Sequence, residues 1–143
     1  MISKKSVDPR VKKLLDAMGL NYEVSADGVF EITFILENER KQSVSIDSRT
    51  EQFNDLEIRD IYSPAVIIPE NELTIELAYG LLNENMQTKF GAWCADKSDG
   101  MVVIYYSAKV AADIDQDSLG SVLEMVMHQA DRLEAMIHED DTF

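Results

Sequence analysis

The stretch KFGAWCADKSDGMVVIYYSA, residues 89–108, carries the clearest structural signal in this chain. Two runs of β-prone residues flank a predicted turn at residues 97–100, and the glycine of its Asp-Gly pair tolerates the positive φ angle of a tight hairpin. The stretch also holds the only cysteine of the chain, Cys94, beside its only tryptophan, Trp93. It therefore predicts two paired strands, and it raises the question of whether Cys94 is reactive.

Two segments nearer the N-terminus carry the same kind of signal. Asp27-Gly28 lies between two β-prone runs, which predicts another hairpin. In KQSVSID, residues 41–47, Val44 and Ile46 fall on one side of the strand and polar residues fall on the other. Such alternation is typical of an antiparallel sheet with one covered face and one face in solvent.

A further strand is predicted over DLEIRDIYSPAVIIP, residues 55–69. Leu56 and Ile58 share one face, but the alternation changes phase near Asp60, which predicts a bulge or a bend there. Proline has no backbone N–H to donate to a neighbouring strand. Pro64 therefore predicts that this strand lies at an edge of the sheet.

Three segments have the apolar periodicity of helices. The first begins with Asp8 as the capping residue and Pro9 at the first helical position, and Gly19 predicts its end. The third keeps its apolar spacing for about five turns after a cap at Asp117 or Ser118.

The second predicted helix begins at Pro69 and is apolar over much of its circumference. Leu73, Leu77 and Leu81 form one stripe, and Tyr79 lies among the residues that widen it. A helix of this kind is buried on more than one side, so it is central to the fold or it meets a second subunit. We predict that these four residues form a partner or dimer surface.

The segments follow one another in the order α-β-β-β-α-β-β-α, with residues 55–69 as a further strand. This order predicts an α+β fold with one antiparallel sheet and with helices on one face. The length of 143 residues suits one domain. We predict a single domain over residues 1–143 with flexible ends at residues 1–7 and 139–143.

The charge of the chain limits its partners. It has 13 Lys and Arg against 27 Asp and Glu, a net charge of −14. Nucleic acids and anionic membranes repel such a protein, whereas basic or amphipathic protein segments are attracted. One cysteine cannot form an internal disulfide, and no apolar run approaches the roughly 18 residues of a membrane span. We therefore predict a cytoplasmic protein with a protein partner that has a basic or amphipathic segment, and no contact with nucleic acid or membrane.

The acidic stretch before the third helix matches a calcium-binding loop only in part. Asp113, Asp115, Asp117 and Glu124 occupy positions 1, 3, 5 and 12 of an EF-hand loop. The sharp turn of that loop needs glycine at position 6, where this chain has Ser118. We therefore predict no metal site and interpret these residues as a solvated connection that caps the helix.

The sequence contains no catalytic constellation. A GxSxG elbow, a glycine-rich phosphate loop and a GxGxxG fingerprint are absent, so we predict no enzyme activity and no cofactor. Cys94 has no histidine near it in the sequence, and we interpret it and the tyrosines of the sheet as packing residues. The alternative is an enzyme or small-ligand domain whose site is assembled from scattered residues. These residues would be Tyr79, Cys94, Tyr106 and His128.

Four stretches carry a family resemblance. They are VKKLLDAMGLNYEVSADGVFEI at 11–32, LLNENMQTKFGAW at 81–93, ADKSDGMVVIYYSA at 95–108 and a long helix introduced by DQDSL at 115–119. In this order and spacing they resemble the YbjN family of bacterial domains, which is associated with the regulation of sensory transduction. The resemblance extends over most of residues 10 to 137, and the segment around Pro64 and the acidic C-terminal end match less well.

The resemblance implies a twisted antiparallel sheet of about five strands flanked by three helices, similar in fold to the type III secretion chaperones and often dimeric. It also implies a small, acidic, cytosolic protein that acts through protein contacts, without catalytic residues to carry over. We therefore predict a non-enzymatic, chaperone-like module that binds or regulates another protein, and we predict that it is a homodimer.

Overall fold

One open antiparallel sheet with helices against a single face makes up the fold. The computed structural model describes residues 7–141, and side chains at residues 7–37 and 39–137. In chain order the elements are α1 Pro9–Ala17, β1 Glu23–Val24, β2 Val29–Ile35, β3 Lys41–Phe53, β4 Leu56–Pro69, α2 Ile75–Gln87, β5 Ala92–Ser98, β6 Met101–Ala111 and α3 Gln116–Asp141. Over these residues the strand order is β1-β2-β3-β4-β6-β5. The predicted α+β fold is confirmed, and the strand β1, of only two residues, brings the sheet to six strands.

The helices cover one face because apolar side chains alternate along the strands. On β6, Val102, Ile104 and Tyr106 are buried in the core, while Val103 and Tyr105 point to the other face. The helices contribute Val11, Leu15, Leu81, Leu119, Leu123, Val126, Ala130 and Leu133 to the same core. We call the side of the sheet away from the helices the open face.

Local capping interactions set where α1 and α2 begin. The Asp8 carboxylate accepts a hydrogen bond from the backbone N–H of Arg10 at 2.9 Å and caps α1, as predicted. The start of α2 was predicted too early, because the residues after Pro69 form a short 3₁₀ turn. Thr74 caps α2 instead, and its hydroxyl oxygen accepts a hydrogen bond from the backbone N–H of Leu77 at 3.0 Å.

The long helix α3, in contrast, begins earlier than predicted. The Asp115 carboxylate accepts a hydrogen bond from the backbone N–H of Ser118 at 2.7 Å, so the predicted caps Asp117 and Ser118 lie inside the first turn. The helix continues to Asp141.

The predicted flexible ends fall for the most part outside the described residues. Within those residues, none of the helices has both the length and the apolar content needed to cross a membrane.

Strand β4 lies inside the sheet, between β3 and β6, so the prediction that Pro64 marks an edge strand is wrong. The register with β6 shifts between Pro64 and Val66, and this bulge accommodates a residue that has no N–H for the ladder. The irregularity predicted near Asp60 occurs on the neighbouring strand, where β3 changes register between Ile46 and Thr50.

A buried arginine fills the irregular segment of β3. Arg59 is 2% exposed, and its Nη1 donates to the carbonyl oxygens of Asp47 at 2.7 Å and Ser48 at 3.2 Å. Its Nη2 donates to the carboxylate of Asp8, the residue that caps α1. The guanidinium therefore takes the place of ladder hydrogen bonds in β3 and attaches the start of α1 to the sheet.

The charge of Asp8 makes this attachment sensitive to acid. Burial alone would raise the pKa of Asp8, but hydrogen bonds from Arg10 and Arg59 outweigh burial and hold the pKa well below its usual range. A carboxylate of this kind stabilises the fold above its unfolded-state pKa of about 4, and it loses that contribution as the pH falls. We therefore expect Asp8→Asn to lower the free energy of unfolding by about 2 kcal/mol at neutral pH and by progressively less below about pH 4.

Urea unfolding of the wild type and Asp8→Asn at several pH values measures this difference directly. Glu57 titrates in the same network, because hydrogen bonds from Arg10, which also donates to Asp8, lower the pKa of Glu57 to about 2. A difference in stability that does not change with pH would contradict the role given to the Asp8 charge.

Candidate functional site

The hairpin at residues 89–108 fixes α2 to the edge of the sheet. Asp99 and Gly100 have φ angles of 52° and 77°, as a two-residue turn between β5 and β6 requires. The backbone N–H of Trp93 donates to the side-chain oxygen of Asn85 at 2.7 Å, and the Asn85 amide donates to the Trp93 carbonyl at 3.2 Å. Asn85 therefore occupies the edge of β5 in the place where another strand would pair.

The residues of the alternative enzyme hypothesis lie apart from one another. Cys94 is half-buried on the open face, whereas Tyr106 is inside the core on the opposite side of the sheet. Tyr79 is exposed on α2, and His128 is exposed on α3. Burial raises the pKa of the Cys94 thiol, and Lys109 offsets this only in part. The structure therefore does not bring these four residues into one site, and the thiol is neutral at neutral pH.

The residues that partly match a calcium-binding loop have other surroundings. The backbone N–H of Ser118 lowers the pKa of Asp115, whose carboxylate caps α3. Asp113 precedes the helix, Asp117 lies in its first turn and Glu124 is exposed further along it. Across the described residues, no group of three or more His, Cys, Asp and Glu side chains is arranged to hold a metal ion.

The open face carries a trough that sequence reasoning did not identify. Two adjoining grooves of about 330 and 420 Å³ share Asp60 and Lys109. The first groove is lined by residues that include Tyr62, Pro64, Cys94, Asp96, Val103 and Tyr105. The second includes Arg49, Glu51, Phe53 and Ile58. We call these two grooves together the open-face trough.

Aromatic rings and carboxylates together give the open-face trough its chemistry. The rings of Tyr62 and Tyr105 meet edge to face with their centroids 5.7 Å apart. Burial raises the pKa of both hydroxyl groups, so both tyrosines are neutral at neutral pH. Lys109 Nζ lies 2.6 Å from Asp60 Oδ1, and this ion pair marks one end of the first groove. The alternation along β6 places Tyr105 and its neighbour Tyr106 on opposite faces of the sheet. Only the packing of the helices shows that Tyr105 is the one on the open face.

Helix α2 carries apolar residues on two opposite sides. The side that faces the core contains the predicted surface residues Leu77 and Leu81, and Leu73, which precedes the helix, packs against the same core. The outward side contains Ile75, Tyr79, Leu82 and Met86, which are 89%, 70%, 65% and 85% exposed. We call these four residues the α2 seam. Of the four predicted surface residues, Tyr79 alone lies on the seam. The sequence shows that α2 has two apolar stripes, but it does not show which of them faces the core.

The fold and these surfaces define the class of the protein, an α+β domain whose antiparallel sheet is covered on one face and open on the other. In comparisons of sequence, no family model and no curated protein matches the chain. Among solved structures, the chain is similar to YbjN from E. coli, described as "a putative transcription regulator", with a TM-score of 0.60. The two chains are 12% identical, and the similarity covers 97% of this chain and 96% of that of YbjN. The chain therefore has a YbjN-like fold, which confirms the resemblance found in the sequence.

Proposed function

We propose that the protein is a non-enzymatic module that binds or regulates another protein, and that it works as a homodimer joined along the α2 seam. The exposure of four large apolar side chains in one row is the observation that carries this proposal. The description of YbjN as a regulator supports a regulatory role. The net charge of −14 favours regulation through protein contacts over direct contact with nucleic acid.

The spacing of the α2 seam suits a second copy of the same helix. Ile75, Tyr79, Leu82 and Met86 are separated by four, three and four positions, which is the spacing of the apolar positions of a coiled coil. In an antiparallel pair of α2 helices about a two-fold axis, Ile75 of one copy would meet Met86 of the other. Tyr79 would meet Leu82 in the same way. The seam is therefore complementary to itself, as a two-fold dimer interface must be.

Charge and area also favour this pairing. Glu84 lies away from the seam, where it forms an ion pair with Arg132 of α3. Lys89 follows α2 and Glu72 precedes it, so an antiparallel pair would bring the two opposite charges of different copies together. The four seam side chains are 65% to 89% exposed, so an antiparallel pair of α2 helices would remove a row of apolar area from water.

The homodimer predicts that Leu82→Glu dissociates the protein. The substitution places a charge at the centre of the seam, and we expect the dissociation constant to rise at least about 100-fold. Sedimentation equilibrium measures the mass, and circular dichroism confirms that the variant is folded. Ile35→Glu is the matched control, because Ile35 is 73% exposed but lies on β2, and we expect it to remain a dimer.

Two results would overturn the homodimer. One is a wild-type chain that sediments as a monomer at about 100 µM, a concentration at which a specific dimer should form. The other is dissociation by Ile35→Glu to the same extent as by Leu82→Glu, because that would show a general effect of added charge.

A further inference from the structure

We propose that the open-face trough docks an extended, basic segment of a partner protein and holds a lysine or arginine side chain of that segment between Tyr105 and Asp96. This inference deepens the proposed function, since it names the chemistry of the partner and the surface that receives it. It rests on the protein-binding role but not on the α2 seam.

The dimensions of the first groove fit a short extended segment. Asp60 lies opposite Lys109 at one end, and Asp96 lies opposite Val103 at the other. Lys109 and Val103 are six residues apart on β6, which corresponds to roughly 20 Å along the strand. An extended segment of about six residues has the same length.

The floor of the groove offers apolar and aromatic surface to such a segment. Tyr105 is paired across the strands with Cys94 on one side and with Pro64 on the other. Tyr62 meets the Tyr105 ring edge to face and extends this surface towards β3. Tyrosine ring faces attract cations, and the apolar neighbours strengthen that attraction by excluding water.

The charges that line the open-face trough select a basic partner. Lys109 is paired with Asp60 at 2.6 Å, and Arg49 is paired with Asp47 at 3.3 Å. Within the part of the chain that the structure describes, the carboxylate of Asp96 forms no ion pair, whereas Glu51 lies near enough to Lys109 to raise the pKa of that lysine.

The cation nearest to Asp96 in sequence is also engaged elsewhere, since Lys97 lies 2.7 Å from Glu70. Among the described residues, the trough therefore presents the carboxylate of Asp96 without an ion-pair partner beside an aromatic floor. A second copy of this acidic chain, a nucleic acid or an acidic peptide would add repulsion at this surface. A lysine or arginine of a partner would complete the ion pairing and stack on Tyr105.

A charged hexapeptide can test this assignment on the whole chain. The probe is acetylated Lys-Leu-Lys-Leu-Lys-Leu amide, which alternates basic and apolar residues as a strand does. It is titrated into the ¹⁵N-labelled protein, and amide shifts are followed by NMR. We expect weak binding, with a dissociation constant of about 0.1–1 mM. The largest shifts should fall on β4, β5 and β6 around Tyr62, Asp96 and Tyr105.

Two variants measure separately the contact of the basic side chain with Asp96 and its contact with Tyr105. We expect Asp96→Asn to weaken binding about two- to fivefold and Tyr105→Leu to weaken it about fivefold. Asp117→Asn is the matched control, because it removes the same charge from the exposed start of α3, and it should change binding less than about twofold. The charge-reversed peptide Glu-Leu-Glu-Leu-Glu-Leu should not bind.

Each of three results would overturn the inference. They are shifts centred on α2 or α3, equal binding of the two peptides, and an equal loss of affinity in Asp96→Asn and Asp117→Asn. The Leu82→Glu chain distinguishes the two proposals, because it should bind the peptide with unchanged affinity. If the wild-type chain sediments as a monomer and still binds the peptide at the trough, the homodimer proposal is wrong and the docking proposal is supported.

Discussion

Replacing Arg59 by methionine is expected to lower the free energy of unfolding by about 3–5 kcal/mol. Methionine replaces the aliphatic stem of arginine but ends before the guanidinium, so the loss combines the hydrogen bonds, the charge and the space that the guanidinium fills. The carboxylate of Asp8, with a side chain only 9% exposed, would lose its guanidinium partner inside the protein. The carbonyl oxygens of Asp47 and Ser48 would lose their donor in a segment where β3 has no regular ladder.

Arg49→Met is the matched control for this prediction. Arg49 has a side chain that is 68% exposed and lies 3.3 Å from Asp47, and exposed ion pairs contribute about 0–1 kcal/mol. Urea unfolding followed by the fluorescence of Trp93, the only tryptophan, measures both variants. If Arg59→Met and Arg49→Met differ by less than about 1 kcal/mol, Arg59 is not the attachment of α1.

A double variant isolates the pairing of Arg59 with Asp8. Breaking a buried ion pair leaves an uncompensated charge, whereas removing both members does not. Asp8→Ala combined with Arg59→Met should therefore be more stable than the sum of the single losses predicts, by more than about 1 kcal/mol. Strict additivity would show that the two residues stabilise the fold independently.

Interactions between neighbours in the sequence were predictable. The cap of α1 depends on Asp8 and the two residues after it, and the turn at residues 99–100 depends on its own Asp-Gly pair. Alternation along β6 also separates the covered from the open face. Each of these features is decided within a few residues, where local propensities and hydrogen bonds act directly.

The arrangement of β4 was not predictable in the same way. Pro64 lacks a donor whether its strand is at an edge or at a bulge, so the residue alone does not distinguish the two. Its position inside the sheet follows from β6, which is far away in the sequence and pairs with it. Arg59 shares the inward phase of Ile61 and Ser63, and this phase was a signal that a charged residue would be buried.

The two candidate surfaces show a similar division. The sequence shows that α2 is apolar on more than one side, but both Leu77 and Leu82 fit an apolar stripe. The packing of α2 against β5 and the core decides that Leu77 faces inward and Leu82 faces outward. The open-face trough needs Tyr62, Asp96 and Tyr105, which lie on three different strands. Pairing registers between those strands are long-range, so a single sequence does not give them.

Replacing Gly91 by alanine is expected to lower the free energy of unfolding by about 3 kcal/mol. Gly91 has a φ of 82°, which costs an alanine about 1–2 kcal/mol. A Cβ at this position would also lie 2.6 Å from Cε1 of Tyr106 and 3.0 Å from the carbonyl oxygen of Ser107. The Tyr106 ring cannot easily move away, because its hydroxyl donates to the Phe90 carbonyl at 2.7 Å and its edge packs against Trp93.

Gly100→Ala separates the two causes of this loss. Gly100 has a φ of 77°, nearly that of Gly91, but no atom lies within 4 Å of a Cβ added there. Its replacement should therefore cost only about 1–2 kcal/mol, the backbone part of the effect. The excess loss in Gly91→Ala, about 1–2 kcal/mol by urea unfolding, is the cost of displacing Tyr106. Equal losses in the two variants would mean that Tyr106 gives way without cost, and that its contacts with Phe90 and Trp93 do not hold the hairpin against the core.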